Sequence, residues 1–229
     1  MNTNRSDSLD VSGDLKSRIF AAIRAEPAPT RQATRLRNAL LLASGAAVAL
    51  VIFRLCGGMH REERPTPLVL ATCAGWIVAA AVATRIALAR GRSTLGRATA
   101  WLVALLVVAP FALLAWKVAV TMPFGPEMSV ERQGRPGWRC LGVSVAVGVP
   151  LLAVFTAARR RTDPLRPGIT GAALGTAAGV AAGSLVDLWC PIAYVPHLLL
   201  GHILPLVVLA LLGALAGRRF VRLGATRRG

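Results

Sequence analysis

Apolar residues in this chain fall into six long runs separated by short polar stretches, at about 39–56, 68–89, 98–117, 141–158, 169–190 and 198–217. Each run is close to the roughly 20 residues that an α-helix needs to cross a bilayer. Inside lipid, a segment must satisfy its own backbone N–H and C=O groups, so runs of this length read as helices. The pattern predicts an all-α polytopic membrane protein with six transmembrane helices in three hairpins. It divides the chain into a polar N-terminal tail over 1–38, a six-span region over 39–217 and a basic C-terminal tail over 218–229.

Charge sharpens this picture. The formal net charge is +17, which in a soluble protein would suggest nucleic acid. Its distribution points to a lipid bilayer instead, with no direct nucleic-acid partner. Twenty of the 27 lysines and arginines lie in the N-terminal tail, the 2–3 loop (Arg85, Arg90, Arg92, Arg97), the 4–5 loop (Arg159, Arg160, Arg161, Arg166) and the C-terminal tail. The remaining loops are mixed, acidic or bare; Glu62, Glu63, Glu127 and Glu131 lie there. By the positive-inside rule both termini are expected in the cytoplasm. The first apolar run starts too far in for a cleavable signal and is expected to stay as an anchor. The composition, rich in alanine, arginine and glycine, suits a bacterial inner membrane.

Ahead of the first span, residues 12–25 carry Leu15, Ile19, Ala22 and Ile23 at helical spacing. They predict a short amphipathic helix, ended by Pro27 and Pro29. A helix so short is marginal alone in water. It lies either on the bilayer or on a partner protein. Pro110, Pro150 and Pro205 fall inside spans three, four and six, where neighbouring helices can re-satisfy the carbonyls that proline frees. Span five carries Gly171, Gly175, Gly179 and Gly183, and span six repeats the spacing with Gly213 and Gly217. Such small-residue ladders let helices approach closely. Each four-residue step drifts by about 40° around the helix, so the ladder spirals. It serves tight packing within one bundle or, alternatively, a homodimer face.

Four cysteines and three histidines are the candidates for chemistry. Cys140 opens span four and Cys190 closes span five, at nearly equal distances from the short turn between them. At about 1.5 Å per residue the two sulfurs come to one height at the outer surface. Two readings stay open: a disulfide or redox-active pair, or two unrelated interfacial cysteines. Cys56 and Cys73 read as buried structural thiols. His60, His197 and His202 fall near the outer surface. His197 and His202 are five residues apart, about 140° around a regular helix, which does not make a one-face ligand pair. A metal site built from Cys140, Cys190 and His197 is the alternative, but the spacing matches no standard zinc pattern, so no metal and no cofactor is assigned. Asp187 and Lys117 sit near the outer ends of spans five and three, where snorkelling to the interface is the cheaper account, with a mutual salt bridge as the alternative. Trp116, Trp138 and Trp189 read as an aromatic belt. No phosphate loop, nucleophile elbow or metalloprotease motif occurs, so no enzyme is expected.

The second half resembles a known bacterial family. A cysteine opens a span (RCLGVSVAVGVPLL), a basic turn follows (ARRRTDPLRPG), and a glycine-rich span ends in Cys-Pro (GAALGTAAGVAAGSLVDLWCP). The segment HLLLGHILPLVVLALLGALAGRR then closes the bundle. This is similar to the NrsF-like membrane anti-sigma factors, which include the CarR-type regulators. The likeness covers roughly residues 135–220 and the six-span plan. It implies an extracytoplasmic-function sigma factor as partner, held by the cytoplasmic N-terminal segment, with Leu15, Ile19 and Ile23 as candidate contacts. It also implies that Cys140 and Cys190 form a sensor pair. The alternatives are a small transporter or channel, and a structural membrane protein.

Overall fold

In the computed structural model, the described residues are Leu15, Ser17, Arg18, Ala21, 31–57, 66–88, 99–121, 137–159, 166–190, Ile192 and 194–226. Ile19, Ile23 and His60 lie outside them. All regular structure among these residues is helical. The helices are α1 (Arg31–Leu55), α2 (Thr66–Leu88), α3 (Thr99–Thr121), α4 (Trp138–Arg159) and α5 (Pro167–Trp189). The last span is composite: a short α6 (Val195–Leu198), a π-helical turn (Leu199–Ile203) and α7 (Leu204–Thr226). Among the described residues, six helices are long and apolar enough to cross a membrane.

The chain divides into two compact units, 1–39 and 40–229. In the first, Leu15, Ser17, Arg18 and Ala21 are helical, and Leu15 is exposed. α1 starts at Arg31, ahead of the apolar run, because a helix continues through polar residues that hydropathy alone does not register. It ends at a glycine cap. Gly57 takes a positive φ of 86° and its N–H donates to the Arg54 carbonyl at 3.1 Å, which a residue with a Cβ would do only under strain.

α5 is the centre of the second unit. It packs against α2, α3, α4 and α7, and its contact with α7 is the most extensive among the described helices. Ala173, Ala177, Ala178, Val180, Ala182 and Val186 along it are fully buried. Small residues all round a helix permit neighbours on every side, which a bundle held by packing rather than by expelled water requires. Its N-terminus is set by Pro167 in the first turn, where the missing N–H has no helical partner to lose.

The glycine ladder is occupied within the chain. A Cβ at Gly171 would run into the backbone of Gly213, and one at Gly175 into that of Leu209. At Gly179 it would come within 3.0 Å of the Leu206 Cα. Gly183 turns instead to α2, where a Cβ would meet the Trp76 ring at 2.5 Å. The drift of about 40° per step accounts for this change of partner. Elsewhere, Arg159 donates to the Ala87 carbonyl from Nε at 3.2 Å and from Nη2 at 2.9 Å, closing the end of α2 with a cation where the helix dipole is negative. Leu70, Ile77, Val107, Val108, Phe111 and Leu211 point outward from the bundle, the surface expected of a protein solvated by lipid.

Candidate functional site

Cys190 is placed by local rules. It follows Trp189, the last residue of α5, and precedes Pro191, whose ring disfavours helical backbone at the residue before it. Cys190 is accordingly extended (φ −88°, ψ 111°), while its N–H still donates to the Val186 carbonyl at 2.8 Å. The Cys-Pro dipeptide thus ends the helix and holds the thiol at its tip. The chain re-enters helix at α6, where Leu198 N–H donates to the Tyr194 carbonyl at 3.0 Å.

The π-turn decides the histidines. Pro205 has no N–H to give the Gly201 carbonyl, and its ring would clash with that group in a regular α-helix. The helix widens by one residue there, and Leu204 N–H donates to the Leu199 carbonyl, five residues back. In i→i+5 geometry residues five apart come nearly into line. His197 and His202 therefore share a face, with ring centroids 5.8 Å apart and planes tilted by 48°. The separation of about 140° expected for a regular helix does not hold.

α4 supplies the remaining donor through a close backbone approach. A Cβ at Gly137 would come within 2.7 Å of Gly201 N and 2.8 Å of the His197 carbonyl oxygen. One on Gly201 would meet the Cys140 Cβ at 2.9 Å. These two glycines let the start of α4 lie on the π-turn, and Cys140 arrives beside the histidines. Cys140 Sγ is 3.5 Å from His197 Nε2, and Cys190 Sγ is 3.1 Å from the same nitrogen. One donor atom from each of Cys140, Cys190, His197 and His202 lies within 4.8 Å of the others, and all four residues are buried. Both thiols are free. His202 is 2 % exposed, and neither of its ring nitrogens has a hydrogen-bond partner among the described residues. Trp76 packs near it, with ring centroids 6.2 Å apart.

Asp187, one turn before Cys190, forms an ion pair with Lys117 of α3. Their side chains are 0 % and 3 % exposed, so neither snorkels: the pair crosses between α3 and α5 inside the bundle. Cys56 and Cys73 are half-buried and form no disulfide, and neither belongs to the four-residue cluster.

The sequence reading brought Cys140 and Cys190 to one height but left the histidines apart. The signal that joins them was present in Gly201 and in Pro205, three residues beyond His202. A helix forced to widen in that interval turns a five-residue spacing into a shared face.

No solved structure matches the chain. The anti-sigma-F factor NrsF of Caulobacter vibrioides (strain NA1000 / CB15N) is 30 % identical over 123 residues, which cover 53 % of this chain and 57 % of that one. The chain thus spans little more than half the length of that relative. The family model described as negative regulator of sigma F matches residues 22–223, nearly the whole of the helical bundle and the full Cys140–His202 cluster. The chain belongs to the NrsF family of negative regulators of sigma F.

Proposed function

We propose that the chain is an anti-sigma factor of the bacterial inner membrane, with both termini cytoplasmic. Its N-terminal segment holds an extracytoplasmic-function sigma factor and masks the surface that RNA polymerase would use. A signal at the outer face alters the Cys140–Cys190 region, and a rearrangement of the spans then weakens that grip. The observation carrying this reading is the family match over residues 22–223. The alternation of arginine-rich loops supports the orientation, and it puts the cluster on the side opposite the tail.

Leu15 and Ile19 precede the matched residues, so the sigma contacts rest on the amphipathic spacing of Leu15, Ile19 and Ile23. The bundle centre is filled by alanine and valine of α5, packing that suits a sensor more than a solute pathway. Any signal must bind the holding and releasing states with different affinities, whatever its total affinity. The test is co-purification of the tagged full chain from bacterial membranes. An extracytoplasmic-function sigma factor is expected with the full chain and lost when residues 1–26 are deleted, with its regulon derepressed. Absence of any sigma factor, together with an unchanged regulon on deletion, overturns the reading.

A further inference from the structure

The buried group at the junction of α4, α5 and the π-turn has a composition that its packing alone does not explain. Two thiols and two imidazoles meet at one buried point, one turn of α5 beyond the Lys117–Asp187 ion pair. A buried imidazole without hydrogen bonds is costly, because a desolvated polar group loses its water partners and gains nothing in return. His202 is in that position with both ring nitrogens. It stands beside three other residues whose donor atoms lie within 4.8 Å of one another and of its own.

We propose that Cys140, Cys190, His197 and His202 form a closed four-coordinate site for a zinc ion. Two thiolates and two imidazoles are a standard donor set for structural zinc, and the H-x4-H spacing of the histidines falls within the range such sites use. With Zn–S near 2.3 Å and Zn–N near 2.0–2.1 Å, tetrahedral geometry places the donor atoms about 3.3–3.8 Å apart. The 3.1 and 3.5 Å separations from His197 Nε2 to the two sulfurs are already close to that. The remaining separations, at most 4.8 Å, close by up to about 1.5 Å through side-chain rotation.

Charge favours a divalent ion. Two thiolates with a divalent ion and two neutral imidazoles sum to zero, whereas a monovalent ion in the same site leaves a net negative charge in an apolar interior, which is disfavoured. Loading is not a redox step. The two thiols lose their protons to solvent as the two Zn–S bonds form, and each imidazole gives a lone pair. Bound zinc ties α4, the tip of α5, α6 and the π-turn to one point, and gives His202 the partner it lacks. A Cys140–Cys190 disulfide would remove two of the four ligands, so metal and disulfide exclude each other. This deepens the sensor part of the proposed function by naming what the cysteine region binds. Its test uses no sigma factor, so the two readings fail separately.

The experiment is metal analysis of the full chain, purified in detergent under anaerobic conditions with a thiol-free reductant. About one zinc per chain is expected. A fall of tenfold or more is expected in the Cys140→Ser/Cys190→Ser double variant and in His202→Ala, with no change in Cys56→Ser/Cys73→Ser. Because a ligand variant can fail to fold, cobalt(II) replacement in the unaltered protein gives a second readout. Strong visible bands of tetrahedral cobalt and a thiolate charge-transfer band support the site. Substoichiometric metal, copper in place of zinc, a weak octahedral cobalt spectrum, or zinc retained in full by folded His202→Ala each overturn it.

Discussion

Lys117 and Asp187 meet between α3 and α5 with 3 % and 0 % of their side chains exposed. Two charges in an apolar bundle are tolerated there because each neutralises the other, and removing one leaves the second without compensation. Asp187→Leu or Lys117→Met is expected to destabilise the protein by about 3–5 kcal/mol, while the double replacement Lys117→Met/Asp187→Leu recovers most of that loss. Thermal unfolding of the four proteins in detergent closes this double-mutant cycle. Gly201 poses a different constraint, one of volume. A methyl group there would sit 2.9 Å from the Cys140 Cβ, so Gly201→Ala is expected to push α4 off the π-turn at a cost of about 1–3 kcal/mol. The same unfolding measurement checks it, and Gly142→Ala, whose Cβ would meet nothing within 4 Å, serves as the control.

Among the elements, α5 does the most to organise the bundle, and its glycines explain why. Gly171, Gly175 and Gly179 admit α7, and Gly183 admits Trp76 of α2. Gly175→Leu is therefore expected to unfold or loosen the monomer itself, since the leucine would have to displace the backbone of Leu209. The check is a loss of cooperative thermal unfolding in a chain held monomeric by excess detergent. A ladder that served only a dimer face would leave the monomer's unfolding unchanged. The periodicity of small residues was readable in the sequence, and so was the drift that makes the ladder spiral. The helices filling its grooves were not readable, because rotation of each helix about its axis depends on all its neighbours together. The π-turn is a milder case. Proline inside a span was visible, but whether the helix kinks, widens or re-bonds elsewhere is settled by what packs beside it, here Gly137 and Cys140.

For the molecule as a whole, the arginine pattern makes an expectation that the packing of helices does not touch. The proposed orientation puts residues 1–38 and 218–229 on the cytoplasmic side, and the Cys140–Cys190 end on the other. Fusions after residue 229 are expected to be fluorescent with a green fluorescent reporter and inactive with an alkaline phosphatase reporter, whereas fusions within 122–136 show the reverse. The opposite pattern would place the N-terminal helix away from any sigma factor and end the proposed function. With the orientation as proposed, Cys140→Ser and Cys190→Ser should each leave signalling either constitutively on or unresponsive. Normal induction of the regulon in both variants would remove the cysteines from the mechanism.

The sequence by itself determined the number of spans, their approximate limits, the helix stop at Cys190-Pro191 and the family. These follow from local requirements: length against bilayer thickness, backbone groups bonded within their own segment, and the restriction that proline imposes on the residue before it. Tertiary structure alone decided that α5 lies at the centre, that Lys117 reaches Asp187, and that His202 joins His197 beside the two cysteines. Each of these depends on how one helix is rotated and shifted against another. That is fixed by many weak contacts at once, and in the last case by one extra residue in a helical turn, which Gly201 and Pro205 signal along the chain but do not fix by themselves.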